Sequence, residues 1–329
     1  MTKRTNDRFG LSDVLMLMAV VMWGMNLIWI KVALREMSPG GFNGVRLLLT
    51  MAIYAGMLAA SGQGFALEGR DVWKLLVLGV LGNAVYQFFF IHAISLTTAA
   101  NTSLILSMSP IFIALLSALL RIERIHWAAW TGILISFFGL YLVITKSNGG
   151  LSFSTANFRG SLLILIGTVL WALYTAFSKT FLERLSPLKF SAVTVLLGVP
   201  FYLPFVARDV VRLPWAAISL TAWVSLVLSA LFGLVIGYVI WYYSIQKVGN
   251  AKTAIYNNLT PLFTIVFAAL FLQDRVRAYQ AVGAAVIFAG VYLTRWGYRV
   301  FAKKVRRRGL AADKSVPGSF ENRGKKWAR

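Results

Sequence analysis

A chain of 329 residues with 58% hydrophobic and 13% charged side chains is not a soluble domain, which carries about a quarter charged residues. Cysteine is absent, so disulfides and thiolate metal sites are excluded. The formal net charge of +22 is concentrated at one end: 12 of the 33 Lys and Arg lie from Arg295 onward, the pattern of a tail resting on anionic lipid, not of a nucleic-acid surface.

The apolar residues fall in ten continuous runs, each near the roughly 20 residues a membrane-spanning helix needs. Continuity, in place of alternation, excludes a transmembrane β-barrel. The expected spans are 13–34, 41–60, 72–94, 98–120, 127–145, 160–180, 188–207, 217–244, 250–272 and 278–299. The first is too long for the core of a cleaved signal peptide and has no small-residue cleavage site, so it reads as retained. Its Trp23 and Asn26 are three apart and share a face.

The second span carries Arg46 within Asn43-Gly44-Val45-Arg46, the one strong charge inside a span. It either faces the bundle, against cargo or polar neighbours, or snorkels to the near interface. The third span offers Asn83, Tyr86 and Gln87, with His92 near its end as the only imidazole inside a helix. The fourth carries Asn101, Ser103, Ser107 and Ser109-Pro110, and the fifth the small residues Gly132, Ser136 and Gly139. After a Ser-, Asn- and Gly-rich linker, the sixth places Trp171, Tyr174 and Thr175 on one face. The eighth shows Tyr238, Trp241 and Tyr242 after Gly233 and Gly237; the ninth Lys252, Tyr256, Asn257, Asn258 and Thr260-Pro261; the tenth Gly283 and Gly290. Pro110 and Pro261 each remove a backbone bond in mid-span, and as matched kinks they are candidate hinges or only packing devices.

The second half repeats the first. Trp23, Lys31 and Ser38-Pro39 match Trp171, Lys179 and Ser186-Pro187 at an offset of 148. Pro110, Phe112, Glu123-Arg124, Gly132 and Gly139 match Pro261, Phe263, Asp274-Arg275, Gly283 and Gly290 at an offset of 151. Five crossings per copy force the second copy into the membrane from the opposite side. The fold class is therefore an all-α polytopic membrane protein, ten transmembrane helices as two inverted five-helix repeats, an architecture that places a cargo site between the halves near the midplane. The expected organisation is an N-terminal segment 1–12, a first repeat 13–145, a linker 146–159, a second repeat 160–300 and a basic tail 301–329, expected to be disordered. With the N-terminus inside, 24 Lys and Arg fall inside and 8 outside; the loops alone divide 9 to 8, as oppositely inserted copies would. N-in, C-in follows, with N-terminus and tail cytoplasmic.

All eleven Asp and Glu fall in loops, tails or first turns, which disfavours proton coupling through a buried carboxylate. The amides and rings of Trp23, Asn26, Tyr86, Gln87, Asn101, Trp171, Tyr174, Tyr238, Trp241, Asn257 and Asn258 need partners in hydrocarbon. They point to water, to cargo or to another helix, and as a set from equivalent spans they favour a shared polar cavity. Arg46, His92 and Lys252 are the charge-bearing candidates beside it. There is no P-loop, no H-E-x-x-H and no paired mid-span acid, so neither an enzyme, a cofactor nor a metal is expected.

In their order and duplication, Val-Met-Trp23-Gly24-Met-Asn26, Arg46, Ala93 to Ala100 leading to Pro110, Glu123-Arg124 and the glycines of the fifth span, echoed in Ala251 to Pro261 and Asp274 to Gly290, resemble the drug/metabolite transporter superfamily and its EamA-like ten-span exporters. The resemblance covers about residues 12 to 300. It implies alternating access, an inner (plasma) membrane location and export of small metabolites, amino acids among the commonest, with Trp23, Tyr86, Gln87 and Trp171 lining a central cavity. Thr194, where an arginine would echo Arg46, and Trp241-Tyr242-Tyr243 depart from the pattern. The expected activity is secondary export of a small amphipathic metabolite, an amino acid or related compound; the alternatives are a sugar-phosphate or nucleotide-sugar exchanger, or a passive channel or scramblase.

Overall fold

The computed structural model describes residues 10–64, 67, 69–119, 127–147, 156–273, 278–290 and 292–293, and all regular structure among them is helical. The first repeat holds α1 (Leu11–Ala33), α2 (Pro39–Ala60), α3 (Gly69–Leu96), α4 in two pieces (Ala99–Leu106 and Ser109–Leu119) and α5 (Trp127–Ser147). The second holds α6 (Ala156–Leu182), α7 (Pro187–Val211), α8 (Leu220–Val248), α9 in two pieces (Asn250–Asn257 and Thr260–Leu272) and α10 (Ala278–Gly290). The six unbroken helices α1, α2, α3, α6, α7 and α8 are long and apolar enough to cross a bilayer; α4, α5, α9 and α10 contribute shorter apolar stretches. The basic tail 301–329, the segment 1–9 and most of the linker lie outside the described residues.

Local chemistry is duplicated with the sequence. Ser38 caps α2 by accepting from Gly41 N at 3.2 Å, with Pro39 at the first helical position. Ser186 and Pro187 open α7 in the same way, with Lys189 N donating at 3.1 Å. The prolines expected to kink spans four and nine do more than kink them. Helix α4 is interrupted at Ser107 and Met108, and α9 at Asn258 and Leu259. Pro110 and Pro261 then sit in the first turn of the following piece, where a missing N–H costs nothing.

The most extensive packing joins helices of different repeats: α2 with α7, α3 with α6 and α7, α1 with α8 and α9, and α4 with α6. Lipid cannot drive helices together by the hydrophobic effect, so close approach of small residues carries much of this association. On α5 and α10, Ser136 Oγ donates to Ile287 O at 3.2 Å, and a Cβ on Gly290 would lie 2.5 Å from Gly132 O. These glycines serve a contact between the repeats. On α3 and α7 the backbones themselves touch: a Cβ on Gly198 would sit 2.1 Å from Gly79 O. Large apolar side chains such as Phe205, Leu134 and Leu262 remain on the outside, where the bilayer covers them.

Polar contacts tie the helix ends. At one end the Arg184 guanidinium pairs with both Asp71 oxygens, at 3.1 and 3.2 Å, and Ser186 donates to the Gln63 side chain. Gln246 Nε2 donates to Leu182 O at 2.7 Å, and the Tyr256 hydroxyl donates to Asp13. At the other end Glu36, in the α1–α2 turn, accepts from Ser219 N and Ser219 Oγ, each at 2.7 Å, at the start of α8. These bonds favour the charged carboxylate and hold its pKa below the ordinary glutamate value.

Two outcomes are expected. Gly198→Ala should lower the thermal unfolding temperature of the detergent-purified protein, since overpacking costs roughly 1–3 kcal/mol; Gly56→Ala, whose Cβ meets nothing within 4 Å, should leave it unchanged. For Glu36 the folded pKa is the depressed one, so its contribution is complete above the ordinary value of about 4.3 and fades as pH falls through the folded value. Glu36→Gln should therefore unfold below the wild type at pH 7 and converge with it in acid. A gap that persists unchanged in acid would show that the charge is not what holds the turn to α8.

Candidate functional site

A cavity of about 70 Å³ lies between the repeats, lined by Trp23, Asn26, Leu27, Arg46, Tyr86, Gln87, Phe90 and Leu106 from the first repeat and by Trp171, Gly233, Leu234, Tyr238, Asn257 and Thr260 from the second. Its position follows from helix geometry. Helices α3 and α8 each contain a wide π-type stretch in mid-span, Val80–Val85 and Ser229–Ile236, at repeat-equivalent places. Widening a helix misaligns its carbonyls, and such stretches recur at functional sites.

The facing repeat answers the misaligned groups in α8. Trp23 Nε1 donates to Gly233 O at 3.0 Å, and the Tyr54 hydroxyl lies 3.0 Å from both Leu234 O and Val235 O. A glycine at the centre of each stretch admits a side chain from across the interface. A Cβ on Gly82 would meet the Tyr174 ring at 2.6 Å, and one on Gly233 would meet Asn26 Oδ1 at 2.6 Å. Gly82 and Gly233 are repeat mates, as are Asn26 and Tyr174.

One wall of the cavity is aromatic. Trp171 stands with its ring centroid 5.3 Å from both Tyr86 and Tyr238, tilted against each. Trp23 packs at 5.3 Å on Trp241, which lies 6.0 Å from Trp171. Behind them Tyr174 and Phe190 stack, and Tyr242 meets both edge-on, 4.8 Å from Phe190. Trp241 and Tyr242 are fully buried, so they are bundle residues and not members of an interfacial belt.

The polar part of the lining is a hydrogen-bonded chain through four helices that ends on Tyr238. Arg46 Nη1 donates to Ser229 Oγ at 3.0 Å, and Ser229 Oγ donates to Asn26 Oδ1 at 2.6 Å. Arg46 Nη2 donates to Asn43 Oδ1 at 2.6 Å and to Gln87 Oε1 at 2.8 Å; Gln87 Nε2 then donates to the Tyr238 hydroxyl at 3.2 Å. The guanidinium carbon lies 5.4 Å from the Phe42 ring centre and 5.9 Å from that of Phe90, a cation–π arrangement. Arg46 is fully buried and faces inward, so it does not snorkel.

Of the residues singled out from the sequence, Trp23, Asn26, Tyr86, Gln87, Trp171, Tyr238, Asn257 and Arg46 meet at this cavity. Tyr174, Trp241, Asn101, Asn258 and His92 are not in its lining. Tyr174 is one layer back, its hydroxyl 2.8 Å from Thr194 Oγ1, and Trp241 supports the rings. Asn101 is buried between α4 and α10, accepting from Gln280 Nε2 at 3.1 Å. Asn258 sits in the break of α9, while Asn257 Nδ2 donates to Ser109 Oγ at 3.0 Å and so ties the two helix breaks together. His92 is away from the cavity, its Nδ1 2.8 Å from Phe88 O and its ring against Phe88 at 4.3 Å. Lys252 lies on the first piece of α9, its side chain outside the described residues. Among the described residues no cluster of His, Asp and Glu could hold a metal ion.

Ser229, Phe90, Leu106 and Thr260 escaped the sequence reading. Ser229 carried a usable signal, a second hydroxyl four residues after Ser225 inside a strongly apolar run. The apolar lining residues carried none, because an aliphatic or phenyl side chain looks the same toward lipid and toward a cavity.

Known proteins bear on this arrangement. The EamA-like transporter family matches residues 10–145 and 158–296, two copies in tandem. A transporter of Archaeoglobus fulgidus is 30% identical over 285 residues, 86% of this chain and 96% of the relative. A protein of Escherichia coli K12 named as a probable amino-acid metabolite efflux pump is 28% identical over 300 residues, 88% of this chain and 96% of its own length. A solved crystal structure superposes with a TM-score of 0.65 at 19% identity, covering 88% of this chain and 98% of that one, which shows the shared fold. With two five-helix repeats packed around a common cavity and both repeats matched, this multi-pass membrane protein is a transporter and belongs to the EamA-like transporter family.

Proposed function

We propose that the protein exports a small amphipathic metabolite, an amino acid or related compound, across the inner membrane by alternating access, with both termini on the cytoplasmic side. The observation that carries this reading is the cavity's mixed aromatic and polar lining, to which both repeats contribute. Rings of Trp23, Tyr86, Trp171 and Tyr238 face amides of Asn26, Gln87 and Asn257. Such a surface accepts an apolar group on one side and hydrogen-bonding groups on the other. The efflux-pump names of relatives from Escherichia coli and Salmonella typhimurium, each 28% identical, support the direction and cargo class. The excess of Lys and Arg in the termini supports the orientation.

Among the described lining residues there is no carboxylate or imidazole, which supports uniport or exchange as the transport cycle. A sugar-phosphate or nucleotide-sugar cargo would call for several cations, and among the described lining residues Arg46 is the one cation.

Counterflow in proteoliposomes tests the reading. Purified protein preloaded with an unlabelled amino acid should accumulate the labelled compound saturably, and a thermal-shift panel of metabolites should single out the same class. Trp171→Phe, which trims the central ring, should raise the half-saturation concentration by about tenfold, the upper range of an aromatic contact. The lipid-facing Phe138→Ala should change it little. Non-saturable flux without counterflow would replace the carrier by a channel.

A further inference from the structure

We propose that Arg46 is the anion-recognition residue of the cavity, and that the cargo is a small organic carboxylate whose carboxylate group pairs with the guanidinium while its apolar part rests on the aromatic wall. The proposal rests on the transport reading above and narrows its cargo.

Arg46 is fully buried and lines the cavity, yet its three hydrogen bonds all go to neutral oxygens, those of Asn43, Gln87 and Ser229. No ion pair involves it among the described residues. Burying a guanidinium without a counter-charge is unfavourable, and removing water strengthens whatever anion then approaches. Neutral acceptors and the two flanking rings compensate only part of that cost.

Its donors are also incompletely used. Among side chains lining the cavity, the buried polar atom with no hydrogen-bond partner is Nε of Arg46. A guanidinium offers five N–H groups in a planar fork, and Nε with one Nη forms the edge that a carboxylate matches with two parallel bonds. A lysine could supply the charge but not this geometry.

The surroundings favour a carboxylate over a larger anion. Tyr86, Phe90, Trp171 and Tyr238 place apolar surface next to the charge, suited to a monovalent head on an apolar body, and among the described lining residues Arg46 is the one cation. The repeat mate of Arg46 is Thr194, whose hydroxyl is engaged with Tyr174 and Phe190 O. The anion site therefore belongs to the first repeat alone and gives the cargo one orientation in a nearly two-fold cavity.

Counterflow of labelled phenylalanine into proteoliposomes provides the test, with 3-phenylpropanoate, phenylalaninamide and phenethylamine as competitors. In the wild type, 3-phenylpropanoate should compete better than the amide or the amine by about tenfold or more, the range of a charged hydrogen-bond pair. Arg46→Gln should erase that preference. Arg46→Lys, which keeps the charge and loses the fork, should retain the preference at weaker affinity, and it serves if the glutamine variant does not fold. Equal competition by amide and carboxylate in the wild type, with counterflow intact, overturns the carboxylate proposal and leaves the carrier standing. Absence of saturable phenylalanine counterflow in the wild type overturns the amino-acid reading and this proposal together.

Discussion

In hydrocarbon each backbone N–H and C=O must find a partner within the protein, and the rest of this structure depends on how that demand is met where the helices are irregular. The central cavity exists because α3 and α8 widen and α4 and α9 break near their middles. Such features would be expensive against lipid. They are placed against the other repeat: Trp23 and Tyr54 cover the carbonyls exposed in α8, and Asn257 joins the two helix breaks through Ser109. Trp23 and Asn257 also line the cavity, so the same side chains hold the helices together and shape it.

The inverted repeat sets up a near two-fold site, and packing at a few positions makes it unequal. At the α3–α7 contact, Gly79 and Gly198 bring the backbones together and leave no room for a long side chain. Their counterparts at the α2–α8 contact are Ala230 and Thr50, and there the helices admit Arg46 and its acceptors. Tyr54 closes the widened part of α8, while its mate Tyr202 is buried with its hydroxyl unpartnered, as is the amide of Asn83 in the matching part of α3. At these equivalent places the two halves of the interface therefore differ in their hydrogen bonding.

The polar ties at the helix ends show the same inequality. One end is crossed by the Asp71–Arg184 pair, the Gln63–Ser186 bond, the Asp13–Tyr256 bond and the Gln246 bonds to the α6–α7 turn; the other, among the contacts described, by Glu36 on Ser219. Each is weak by itself, as exposed polar contacts are. A set of weak contacts of this kind can be exchanged for another at little cost.

Much of this was legible in the chain. Ten apolar runs, a five-helix period and matched Ser-Pro caps are properties of composition and spacing, and lipid allows few structures that satisfy them, so they determined the helices, the duplication and the membrane fold. Eight of the site residues were legible too, because an amide or a guanidinium in a span must face inward, and helical spacing tells which neighbours share its face. Sequence spacing could not tell the first layer from the second. Asn101 and Tyr174 obey the same inward rule as Asn26 and Tyr86 but are consumed by Gln280 and Thr194. Nor could it foresee the widened stretches in α3 and α8, at whose central glycines, Gly82 and Gly233, a side chain of the other repeat fits. What the amino acids specified alone was which groups cannot face lipid; which of those groups meet one another and which are left open to cargo was decided by contacts 150 residues apart in the chain, where packing of one repeat against the other sets every distance.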